Sequence, residues 1–173
     1  MIPKPEPGEY PEYAEMYIKL LPTDGFILRH LADNFYTVKD FICKLSPEKL
    51  LYKPAPDKWT IKEILVHIID DERIFAYRAL CFARNEKRSM PGFDQDGYTR
   101  YSGANKRDLD NIFAEYEAVR LAMIALFNGL PEESLMRKGI GSSTYHAATV
   151  QALAYHIAGH ELRHINIIKE KYI

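Results

Sequence analysis

Apolar residues recur at three- and four-residue spacing in four long stretches, the period of helices that turn one face to a shared core. The first carries Phe26, Ile27, Leu31, Phe35, Val38, Phe41, Ile42 and Leu45, with Thr23 or Asp24 able to cap it and Ser46-Pro47 to stop it. The second runs from Ile61 to Ala83 or Arg84, with Ile64, Leu65, Ile68, Phe75 and Ala79 inward. Thr60-Ile-Lys-Glu63 at its head is a capping box, in which Thr60 and Glu63 satisfy each other's orphan backbone donors. The third begins near Asn105 or Lys106, passes through Ile112, Phe113, Tyr116, Met123 and Leu126, and stops at Asn128-Gly129-Leu130-Pro131. The fourth holds Val150, Leu153, Ile157 and Ile168, with Ser142, Ser143 and Thr144 offering caps. Nothing alternates at period two over a useful length. The pattern predicts an all-α fold, one domain over 1–173, with helices at about 24–45, 61–84, 105–128 and 144–171 in an up-and-down or crossover bundle.

Residues 1–22 carry Pro3, Pro5, Pro7 and Pro11, which predict an irregular arm with one short helix around Tyr13 to Leu20. Such an arm wraps its own domain or a neighbouring subunit. The segment Pro91 to Gly103 is rich in turn residues and aromatics, and a long unstructured loop of that kind is expected to act as a lid or pocket wall.

A chain of 173 residues is long enough to bury a real core. Its formal charge of −1 has no basic excess, which speaks against nucleic acid or an anionic membrane as partner. No apolar run approaches the ~20 residues of a spanning helix, and the first twenty residues lack the apolar centre of a secretory signal. The expected location is the cytoplasm. Cys43 and Cys81 lie in apolar helical patterns without metal-like spacing, so both are expected to be buried free thiols.

The chemistry concentrates in His156-Ile-Ala-Gly-His160-Glu-Leu-Arg-His164. Residues four apart on a helix stack on one face, about 5–6 Å between Cβ atoms, which suits His160 and His164 converging on one metal ion. His67, on the second helix, is the candidate third ligand. A histidine on an apolar face is commonly an ordinary core residue. Here the placement argues otherwise, because imidazoles in a core seam forgo the packing of Leu or Ile and leave ring nitrogens in need of partners. Three neutral imidazoles around Zn²⁺ or Ni²⁺ leave a position open, the mark of a catalytic site, where water or a substrate thiol becomes a nucleophile. Asp70 and Asp71, one turn from His67, are candidates to orient the histidines or to handle protons. His156 is a candidate fourth ligand or proton shuttle, and Arg163 could meet a carboxylate or an anionic substrate.

Lys58-Trp59-Thr60-Ile-Lys-Glu63 leading into His67-Ile-Ile-Asp70-Asp-Glu72, then Pro91-Gly-Phe-Asp-Gln-Asp96, and finally Ala158-Gly159-His160-Glu161 with His164, resemble the DinB/YfiT-like superfamily of metal-binding four-helix bundles. In place of the Gly-His-Glu-Leu-His-His common in such proteins the chain has Arg163, which leaves the His160/His164 pair untouched. The resemblance implies a divalent metal held by His67, His160 and His164, and a homodimer. It also implies an S-transferase that uses a low-molecular-weight thiol of the bacillithiol, mycothiol or glutathione class on an electrophilic small molecule. A metal-dependent hydrolase is the alternative, and a non-enzymatic, stress-related metal-binding module is a third.

Overall fold

The computed structural model describes residues 1–141 and 147–173. Among these described residues the seven α-helices are α1 (Glu15–Ile18), α2 (Ile27–Cys43), α3 (Pro47–Leu51), α4 (Ile61–Ala83), α5 (Gln95–Tyr101), α6 (Leu109–Asn128) and α7 (Val150–Lys171). Two antiparallel two-residue strands, β1 (Lys138–Gly139) and β2 (Ala148–Thr149), precede α7. None of these helices is long and apolar enough to cross a membrane.

The four long helices α2, α4, α6 and α7 form the expected all-α bundle. α4 packs between α6 and α7, and α2 closes the square against the same two helices. Successive long helices α2 and α4 are therefore diagonal, as are α6 and α7, and only α4 and α6 are neighbours both in sequence and in space. This is a crossover bundle, not an up-and-down one.

The helix ends differ from the periodicity in ways that local chemistry explains. The capping box of α4 is present, with Thr60 Oγ1 accepting from Glu63 N at 3.1 Å and Glu63 Oε2 from Thr60 N at 2.7 Å. α2 starts later than expected, because Asp24 accepts from Phe26 N and pairs with His30 instead of capping the helix, and Phe26 lies outside it, half-exposed. Arg107 and Asp108 are extended, so α6 begins at Leu109 behind a separate turn at Ala104–Lys106. Asp94 caps α5 by accepting from Asp96 N and Gly97 N, which turns the expected loop into a short helix. α7 begins at Val150, with Thr149 accepting from Ala152 N at 3.2 Å, and the expected caps Ser142 to Thr144 lie outside the described residues. Cys43, at the end of α2, is exposed and Cys81 is half-buried, so neither thiol is in the core.

The arm folds back on its own bundle. Ile2 N donates to Gly25 O and Tyr155 Oη to Ile2 O, Thr149 N donates to Glu9 O, and α1 lies on α7. At the crossing, a Cβ on Gly159 would fall 2.4 Å from the carbonyl oxygen of Tyr17. Only glycine permits that approach.

Two apolar clusters fill the bundle. One holds Leu31, Phe75, Phe82, Met123 and Leu153, and the other Phe35, Leu65, Ile68, Phe113 and Ile165. Each long helix passes from one cluster to the other at a polar residue: Asn34 on α2, Asp71 and Glu72 on α4, Arg120 on α6, His160 and Glu161 on α7. A polar layer thus cuts the core. Burying it costs free energy unless its groups satisfy one another.

Candidate metal centre

The layer has two halves, because the adjacent pairs Asp71-Glu72 and His160-Glu161 each split between them. In one half Arg120 donates to both oxygens of Glu72 at 2.8 and 2.9 Å, to Glu161 and to the carbonyl of Leu31. Tyr116 Oη and Asn34 Nδ2 also donate to Glu161. Burial would lower the Arg120 pKa, but the carboxylates of Glu161 and Glu72 outweigh it and hold the guanidinium well above its usual range. This ionic cluster fastens all four helices at the level of the histidines.

In the other half, His160 Nε2 lies 3.0 Å from His67 Nε2 and 3.1 Å from His164 Nε2. One nitrogen from each ring falls within 4.8 Å of the others. α4 supplies His67, and the four-residue spacing on α7 supplies the stacked pair. Burial, more than any neighbouring charge, lowers the pKa of all three, that of His164 to about 3. Three neutral imidazoles therefore direct nitrogens at one another, and protons alone cannot bridge every contact. That donor set fits a divalent cation.

On the far side of His160, Asp71 Oδ2 lies 3.4 Å from His160 Nδ1 and 3.4 Å from His156 Nε2. Burial pushes the Asp71 carboxyl up, yet His160, His156 and His67 together hold it well below its usual range. Asp71 Oδ2 and both nitrogens of His156 are buried without a hydrogen-bond partner among the described residues. His156 stacks on Phe75, ring centroids 3.8 Å apart, and is not brought to the three-nitrogen cluster. Asp70 faces elsewhere: it pairs with Arg73 at 3.5 Å, in a half-exposed chain of charges that continues to Glu115 and Arg107. Arg163 is exposed.

A cavity of about 280 Å³ opens beside His160, Asp71 and His156, walled by Tyr13, Tyr17, Phe75, Arg78, Gly92, Phe93 and Gln95. The segment beginning at Pro91 thus forms a wall, as its composition predicts, together with the N-terminal arm. Burial raises the pKa of Tyr13 and Tyr17, so both stay protonated as donors. Trp59 closes the opposite end of the cluster, its ring 4.7 Å from His67 and stacked 6.4 Å from His164. Periodicity singled out neither the tyrosines nor Arg78 as site residues. The one available signal was the position of Trp59, immediately before the cap of the helix that carries His67.

Residues 36–168 match the DinB superfamily, and the chain belongs to it. Over 145 residues it is 31% identical to the uncharacterized protein YuaE of Bacillus subtilis strain 168, covering 73% of this chain and 85% of that protein. Its fold is similar to that of YfiT from Bacillus subtilis, described as a probable metal-dependent hydrolase with an unusual four-helix bundle topology. That similarity has a TM-score of 0.73 at 16% identity, over 83% of this chain and 82% of YfiT.

Proposed function

We propose that the protein is a metal-dependent hydrolase in which His67, His160 and His164 hold a divalent ion of the Zn²⁺ or Ni²⁺ kind. The observation that supports this most is the set of three neutral imidazole nitrogens beside a cavity lined by polar groups. Bound there, such an ion lowers the pKa of a coordinated water or thiol and so supplies a nucleophile near neutral pH. The chain's residues do the rest. Asp71 orients His160 through Nδ1, keeping Nε2 turned to the cluster, and its carboxylate stays ionised behind that ring. Tyr13 and Tyr17 present protonated hydroxyls to a substrate oxygen that gains charge. Trp59 and Phe75 exclude water from the two ends of the layer.

Thiol-dependent S-transfer is the second reading. It is favoured by the cationic and hydroxyl lining of the cavity, which suits a hydrophilic thiol of low molecular weight that carries carboxylates. One assay separates the two: untagged, metal-loaded protein with an ester and amide panel, then with an electrophile and a thiol panel. Turnover without thiol selects the hydrolase, and rate enhancement only with thiol selects the transferase. Neither activity, with metal tightly bound, leaves the non-enzymatic module. For pairing of two copies we propose the groove between α4 and α6 lined by the exposed Tyr77 with Leu80, Val119 and Leu126, and Tyr77→Glu should then convert a sedimenting dimer to monomer.

A further inference from the structure

His156 takes no part in the ionic cluster or the three-nitrogen cluster, yet it is 4% exposed and lines the cavity beside Asp71 and His160. Its ring is held on several sides: parallel to Phe75 at 3.8 Å and to His160 at 5.7 Å between centroids, and met edge-on by Tyr17 at 5.0 Å. An aromatic hydrocarbon would make all of these contacts. What histidine adds is two nitrogens, and both are buried without a hydrogen-bond partner among the described residues. Buried polar atoms are normally paired, so these two ask for a group that enters the cavity.

Nε2 of His156 faces Asp71 Oδ2 at 3.4 Å, and that oxygen too is buried without a hydrogen-bond partner among the described residues. Its distance to His160 Nδ1 is also 3.4 Å. Both contacts lie beyond the ordinary N–H···O range of about 2.7–3.2 Å, so the oxygen keeps acceptor capacity. A carboxylate accepts and does not donate, and the group that completes this end of the cavity therefore brings an O–H or N–H. A ligand carboxylate would bring acceptors only, against a charge of its own sign. A ketone would bring no donor.

We propose that Asp71 and His156 form the recognition end of the cavity for a small uncharged ligand that presents an N–H or O–H donor, most simply a secondary amide. The donor meets Asp71 Oδ2 and the imidazole of His156 supplies the second contact, to which an amide or a hydroxyl can respond because each carries a donor and an acceptor. At about 280 Å³ the cavity is close to the roughly 300 Å³ at which small-molecule sites begin, so the ligand is of one-ring size. Selection is strong in a site of this kind, because a ligand without the donor leaves buried polar atoms unpaired. This deepens the hydrolase reading by naming its substrate class, and it rests on that reading only for the ligand's being a substrate. The binding claim itself needs only residues of the chain.

The test uses the full chain as purified, with metal content determined on each sample, and calorimetric titration of three probes: N-methylbenzamide, propiophenone, in which CH₂ replaces the N–H, and benzoate. The amide should bind about tenfold more tightly than the matched ketone, the scale of one hydrogen bond to a charged group, and more tightly than benzoate. His156→Phe keeps the ring stack and removes both nitrogens. It should cut the amide-to-ketone ratio by at least about threefold, a ratio that a merely structural role of the ring would not move. Equal binding of amide and ketone by the wild type overturns the proposal without any variant, and so does benzoate bound as tightly as the amide. An undiminished ratio in folded His156→Phe overturns it as well, because the donor then sits elsewhere. Bound metal together with any of those results leaves the three-histidine site standing and removes only the amide recognition. Absence of metal with the His156-dependent preference intact does the reverse.

Discussion

Asp71 Oδ2 faces Nδ1 of His160 at 3.4 Å, across the ring from the nitrogen that meets His67. A carboxylate behind a ligating histidine sets its tautomer and ring angle, and removing such a partner commonly costs 10–100-fold in metal affinity. Asp71→Asn should therefore weaken Zn²⁺ or Ni²⁺ binding by about one to two orders of magnitude in a competition titration with a chromophoric chelator. Asp70→Asn, which disturbs only the half-exposed pair with Arg73, should leave affinity within about twofold.

Protein purified without a histidine tag should carry about one divalent ion per chain by elemental analysis. His160→Ala should lose it, since that residue contacts both other rings. Added metal should raise the wild-type melting temperature, by the equivalent of about 2.7 kcal/mol at one hundred times Kd, and leave His160→Ala unmoved. Equal stabilisation of both would place the metal somewhere other than these rings.

The metal-free protein should lose stability in mild acid. Burial lowers the folded pKa of His164 from an unfolded value of 6.5 to about 3, and shifts His67 and His160 the same way. Between those values the unfolded chain binds protons that the folded chain does not. Stability is thus fully present above pH 6.5 and falls as pH drops towards 3, by up to about 1.4 kcal/mol per pH unit for each such histidine. Urea midpoints of chelator-treated protein at pH 7.5, 6.5 and 5.5 should descend, and a flat series would contradict the burial of these rings.

Gly159→Ala should detach the arm. The new methyl would meet the Tyr17 carbonyl at 2.4 Å, and backbone cannot give way as a flexible side chain can. Overpacking of this kind costs about 1–3 kcal/mol. Limited proteolysis should cut the variant between residues 1 and 22 well before the wild type, and the Tyr17 wall of the cavity should be lost with it.

Arg120→Met should destabilise the fold by about 3–5 kcal/mol in chemical denaturation, because it strands Glu72 and Glu161 in the core. Replacing all three, as Glu72→Leu, Arg120→Met and Glu161→Leu, should recover most of that loss. Metal affinity of the triple variant then reads how far the ionic half of the layer positions the histidine half.

The sequence by itself determined the helices and the metal candidates. A 3.6-residue period is a local property, and so are the Thr60/Glu63 box, the i,i+4 stacking of His160 on His164, and the placement of His67 on an apolar face. Local patterns could also mislead at helix ends, where Asp24 turned to His30 and Asp94 capped a helix inside an expected loop. What only the tertiary structure decided depends on contacts between residues far apart in the chain. It set α2 diagonal to α4, brought His67 to His160 across 93 residues, and aligned the polar positions of four helices into one layer. It also separated Asp70 from Asp71. The two neighbours differ by about 100° around α4, so one faces solvent and Arg73 while the other is buried against His160. Tyr13, Tyr17 and Arg78 became site walls for the same reason. Their roles come from where the arm and the 91–93 segment pack, and no spacing along the chain encodes that.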